Sequence, residues 1–97
     1  IAFTQALAEE VGPLNIAANA LCPGYIQTAM WTRVLNPVLS QMFGVPEERV
    51  FEEFVARFTY LRRPQTAEEI ADAAVYLCRA DNVTGITLTV AGGGEVH

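Results

Sequence analysis

Asn15-Ile16-Ala17-Ala18-Asn19-Ala20-Leu21-Cys22-Pro23-Gly24-Tyr25-Ile26-Gln27-Thr28-Ala29-Met30 is the stretch from which the fold can be read. Ile16 to Cys22 is a nearly continuous apolar run, bounded by Gly12-Pro13 before it and Pro23-Gly24 after it. That pattern predicts a strand buried on both faces, as in a parallel sheet covered by helices. Pro23 has no N–H and ends the ladder, and Gly24 lets the backbone turn sharply. The chain then leaves the carboxyl end of the strand, where open α/β sheets bind ligands. Asn19 lies inside the apolar run and must find partners; a structural tie to a neighbouring loop is the expected role.

Working outward, Ile1 to Val11 reads as a helix with Phe3, Ala6, Leu7 and Val11 on one face, closed by Gly12 and Pro13. It carries no start signal, so it looks cut rather than begun. Residues 29–63 read as short helical pieces broken at Asn36-Pro37 and Gly44-Val45-Pro46. Pro46 suits the first position of the next helix, with Glu47 and Glu48 complementing its dipole. Val50, Phe51, Phe54, Val55 and Phe58 form its apolar stripe, and Glu53 and Arg57 face water four residues apart. Thr66 to Arg79 is the best-signalled helix: Thr66 and Glu69 make a capping box, and Ile70, Ala73, Ala74 and Leu77 make the inner stripe. Asp81-Asn82 breaks it, Thr84-Gly85 turns the chain, and Ile86 to Val90 alternates as a second strand. Strand, helical crossover, strand implies a right-handed unit with a parallel pair.

The 97 residues are 52% hydrophobic and carry a net charge of −5. So apolar a small chain suggests surfaces that meet further chain or another subunit. The acidic balance speaks against nucleic acid and anionic membrane as partners. No apolar run reaches the length of a membrane span. Cys22 and Cys78 lie in expected buried elements without framework spacing, which suggests reduced core thiols and a cytoplasmic setting. There is no lysine: all six basic residues are arginines.

The order Asn-x-Leu21-Cys22-Pro23-Gly24-Tyr25-Ile26-Gln27-Thr28-x-Met30 resembles the strand-end segment of the short-chain dehydrogenase/reductase family. Arg63-Pro64, the helix start at Thr66-Ala67-Glu68-Glu69-Ile70-Ala71, then Val83-Thr84-Gly85 and Val90-Ala91-Gly92-Gly93, resemble its closing pattern in the same order. The resemblance covers essentially the whole chain. It implies the C-terminal part of one doubly wound parallel-sheet (Rossmann-like) α/β domain: two parallel strands with a helical crossover and a helical substrate lid at residues 29–63. Three positions depart from the pattern. Arg62 stands for a glycine, Ala91 for an acidic residue and Ile86 for a glutamine.

By that resemblance, Pro23 and Gly24 approach the nicotinamide ring of NAD or NADP, with Tyr25 and Met30 in the same cofactor segment. The Ile26 backbone bonds the carboxamide, and the Thr28 hydroxyl bonds the carboxamide or adjacent phosphate. Such a site sets geometry, not acid–base chemistry. Trp31 is the candidate substrate residue, to stack on or wall off a small alcohol or carbonyl compound; it and the phenylalanine stripe also read as a lobe core.

The acid–base groups are absent. Tyr25, Tyr60 and Tyr76 are followed four residues later by Ala29, Pro64 and Ala80, so no Tyr-x-x-x-Lys exists. Ser40 lies in the lid, His97 is terminal, and the Gly92 to Gly94 run opens no helix and so reads as a turn. The paired glutamates read as solvated helix faces. The expectation is an NAD(P)-dependent oxidoreductase whose serine, tyrosine, lysine and Gly-rich loop lie elsewhere, in a homo-oligomer (tetramer or dimer). The alternative is a non-catalytic truncated fragment that acts as an interaction or oligomerisation module through the helix at 66–79 and the strand at 86–90. A natural chain near 10.6 kDa supports the module, and one more than twice that supports the enzyme.

Overall fold

A computed structural model describes residues 1–94; His97 lies outside the described residues. The chain divides into two compact units, Ile1–Pro23 with Ala67–Val90, and Gly24–Thr66 with the segment from Ala91.

In the first unit, α1 spans Ala2–Val11 and a 3-10 turn over Gly12–Leu14 follows, ending with Asn15 in the left-handed region at φ 59°. Strand β1 is Ala20–Pro23, helix α4 is Ala67–Arg79 and strand β2 is Thr87–Val90. The strands pair in parallel, Ala20 opposite Thr87 through Pro23 opposite Val90. Strand, helix, parallel strand is therefore the architecture that the apolar run and capping box predict. The strand is shorter than expected because residues 16–19 are spent otherwise. Asn19 donates from Nδ2 to the Val83 carbonyl at 3.0 Å, and its Oδ1 accepts the Ile86 N–H at 3.2 Å. One amide side chain thus takes the place of a ladder rung, satisfying both backbone groups where the chain turns. Ala18 N–H donates to Thr84 Oγ1, and Gly85, at φ 71°, donates to the Ala18 carbonyl.

Burial is lighter than expected. β1 is half-buried up to an exposed Pro23, Phe3 is 77% exposed, and the α4 stripe is half-buried. Cys78 is exposed and Cys22 half-buried, both free, so the expectation of core thiols is corrected. Ala8 is the buried residue of α1.

The second unit is helical. Residues 29–43 run on without the break expected at Asn36-Pro37: a π-turn over Trp31–Leu35 leads directly into α2, Asn36–Phe43. Pro37 directly follows the π-turn, in which Asn36 N–H reaches back five residues to the Trp31 carbonyl, so the regular i→i−4 ladder that a proline interrupts is already broken there. Gly44 ends α2 in the left-handed region at φ 67°, and the Ser40 hydroxyl donates to the Val45 carbonyl. Helix α3, Glu47–Phe58, is capped by Pro46 rather than begun by it. Glu53 and Arg57 face water as expected, and Glu53 pairs with Arg49 at 3.6 Å, one turn back. Thr59 ends α3, its buried hydroxyl donating to the Val55 carbonyl at 2.8 Å. The core is Trp31, Phe51 and Val55, with Tyr25, Leu35, Leu39 and Phe54 packed against it. Of the predicted stripe, Phe54 is half-buried and Phe58 is 46% exposed.

Candidate functional site

The segment Gly24 to Met30 opens the second unit, immediately after β1 ends at Pro23. Its first residue is held by close approach. A Cβ on Gly24 would lie 2.5 Å from Gln65 Oε1, 2.6 Å from Ala91 Cα and 2.7 Å from Ala91 Cβ. Glycine here is demanded by the chain's own packing, whatever else approaches it. Gln65 is 5% exposed; its backbone N–H donates to the Tyr25 carbonyl at 3.0 Å and its Nε2 to the Arg63 carbonyl at 3.5 Å. Its Oε1 is buried without a hydrogen-bond partner among the described residues.

Next come groups that are not committed. The N–H and carbonyl of Ile26 make no hydrogen bond among the described residues, and neither does the exposed Thr28 hydroxyl. The Thr28 carbonyl accepts from Trp31 and Thr32, so its side chain stands at the start of the long helix. Helix N-termini present N–H groups and favour negative charge. A peptide group, a hydroxyl and a helix start together suit a planar amide flanked by phosphate. The segment thus fits the nicotinamide end of a dinucleotide. Met30 is exposed beside them.

Of the two places expected for Trp31, against substrate or in the core of the lobe, the structure gives it the core. It is 6% exposed, and its ring meets Phe51 at 4.8 Å, Phe54 at 5.4 Å and Tyr25 at 6.1 Å, all edge-on. The indole is already clad in rings, and Tyr25 and Phe54, 5.3 Å apart, join it to the segment after Gly24. Sequence reasoning missed a groove of about 660 Å³ walled by Leu39, Phe43, Val45, Val50, Phe54 and Phe58, with Glu53, Arg57 and Arg62 along it. A signal for it was present. Arg62 replaces a glycine of the resembled pattern, and its φ of 55° shows why glycine suits that position. The run after Ala91 is a turn, as expected: Gly92 and Gly93 have φ of 58° and 86°, and a Cβ on Gly93 would strike the Tyr60 ring at 2.7 Å.

A parallel strand–helix–strand unit is consistent with part of a Rossmann-like domain. The comparisons agree. Residues 1–95 match the family model described as Enoyl-(Acyl carrier protein) reductase. Protein MoaE of Klebsiella aerogenes is 35% identical over 99% of this chain and 37% of its own length. The 3-oxoacyl-(acyl-carrier-protein) reductase FabG of Aquifex aeolicus is 35% identical over 96% of this chain and 33% of its own. Among solved structures, an actinorhodin polyketide ketoreductase variant with NADPH is similar at TM-score 0.85 and 33% identity, covering 99% of this chain and 37% of that one. The L-sorbose reductase of Gluconobacter frateurii, complexed with NADPH and L-sorbose, is similar at TM-score 0.84 and 29% identity, covering 98% and 36%. The chain belongs to the short-chain dehydrogenase/reductase family. It spans about a third of the length of these relatives.

Proposed function

We propose that this chain is the nicotinamide-holding and substrate-covering part of an NAD(P)-dependent oxidoreductase, acting on a small alcohol or carbonyl compound. The observation that carries it is the uncommitted set in one short segment, the Ile26 peptide groups and the Thr28 hydroxyl at a helix start. NADPH in two of the similar structures supports the reading. When bound, the dinucleotide supplies a hydride to a carbonyl carbon or accepts one from a carbinol carbon. The chain's residues orient. Pro23 brings the backbone out of the sheet, and Gly24 keeps it low. Ile26 N–H donates to the carboxamide oxygen, its carbonyl accepts from the carboxamide nitrogen, and Thr28 fixes the same amide or the neighbouring phosphate. Tyr25 and Met30 border the segment, and Trp31 stiffens the covering lobe from behind through Tyr25 and Phe54. Fixing the amide selects which ring face meets the substrate.

Proton handling belongs to serine, tyrosine and lysine groups outside this chain, which has no lysine. A tetramer or dimer is part of the reading, with α4 leaving Val75 and Tyr76 exposed for a partner copy. The test is NADH and NADPH titration of the complete protein against its Thr28→Val variant. Loss of one hydrogen bond predicts roughly three- to tenfold weaker binding at unchanged unfolding temperature. Equal affinities would remove Thr28 from the site, and no affinity for either dinucleotide would end the reading.

A further inference from the structure

The groove in the second unit carries a charge pattern at odds with the rest of the chain. The chain is acidic at −5, yet the groove sets two guanidiniums, Arg57 and Arg62, against one carboxylate, Glu53. Glu53 is itself drawn to Arg49 at 3.6 Å, and among the described residues neither Arg57 nor Arg62 is ion-paired. The remaining wall is aliphatic and aromatic. Arg62 also holds φ 55°, where a residue with a Cβ is strained and glycine is not. Strain of that kind gathers at ligand clamps, and here it holds a cation on an apolar groove. The volume suits a small molecule.

We propose that this groove seats an apolar monocarboxylate, its carbon body against Phe43, Phe54 and Phe58 and its carboxylate between Arg57 and Arg62. The one-unit positive balance matches a monoanion, and guanidinium forks match the planar carboxylate. Phe54 both lines the groove and stands edge-on to Tyr25 at 5.3 Å, which ties the groove to the segment after Gly24. As a statement of substrate class, an oxo or hydroxy acid with an apolar body, this rests on the reading of that segment as the nicotinamide holder.

The test titrates the complete protein calorimetrically with octanoate, 1-octanol and octyl phosphate, and separately with NADPH. Octanoate is expected to bind roughly tenfold more tightly than 1-octanol, and to weaken as salt is raised. Arg57→Ala and Arg62→Gly should each weaken octanoate about fivefold or more and leave 1-octanol unchanged. Arg62→Gly should also unfold at the same or a higher temperature, so its weaker binding is no folding defect. Equal binding of octanoate and 1-octanol overturns the proposal, as does an Arg62→Gly variant with undiminished octanoate affinity. Tighter octyl phosphate binding overturns the carboxylate assignment, and a groove closed to all three probes because a second copy covers it overturns the site. Octanoate binding without NADPH binding leaves the groove standing and removes the oxidoreductase reading; the reverse removes the groove alone.

Discussion

Replacing Gly24 by alanine adds one methyl group where there is no room. The new Cβ would sit 2.6 Å from Ala91 Cα and 2.5 Å from Gln65 Oε1. Carbon atoms prefer about 3.5 to 4.0 Å, so roughly an ångström must be recovered from two directions. Gln65 is 5% exposed and its backbone is bonded to Tyr25, and the other obstacle is main chain. Neither yields easily. Overpacking of this kind costs about 1–3 kcal/mol, and the backbone contact places Gly24→Ala toward the upper end. The assay is denaturant unfolding of the complete protein, reading the midpoint at constant slope. Gln65→Ala in the same background should recover only part of the loss, because it frees Oε1 but not Ala91. A Gly24→Ala variant within about 0.5 kcal/mol of the parent would refute the close-approach account. Full recovery by Gln65→Ala would place the whole clash on the side chain instead.

Asn19→Leu removes the donor to Val83 and the acceptor for Ile86, leaving one partly buried carbonyl and one exposed N–H unmatched; a loss of about 1–2 kcal/mol in unfolding free energy is expected. Thr59→Val keeps shape but deletes the buried bond to the Val55 carbonyl, and about 1 kcal/mol should be lost in the same assay. Amide exchange checks both: Ile86 N–H should exchange faster in Asn19→Leu and be unchanged in Thr59→Val.

The parallel pair was legible because its signals are local. The apolar run, the Pro23-Gly24 exit and the Thr66-to-Glu69 helix start each state their own conformation. Strand length was not legible, since it depends on Asn19 meeting Val83 and Ile86, more than sixty residues away. Pro37 misled for a related reason: proline interrupts the regular ladder of a helix interior, but the π-turn just before it has already shifted that ladder, and the proline alone does not announce the π-turn. For the candidate site, the turn out of the strand at Pro23-Gly24 could be read directly. The crowding of Gly24 by Gln65 and Ala91 could not, nor could the groove, whose walls come from both α2 and α3.

The π-turn has an evolutionary corollary. Trp31 and Asn36 are both buried, with Asn36 N–H bonded to the Trp31 carbonyl; on an unbroken α-helix residues five apart would point about 140° from each other. The turn therefore behaves as an inserted residue absorbed without ending the helix. Deleting one residue between them would restore α-helical phase with the pair four apart and still on one face, so Thr28 would keep its bearing on α2. A change of one residue in chain length at this point can therefore be taken up locally, while the segment before the turn and α2 after it keep their places.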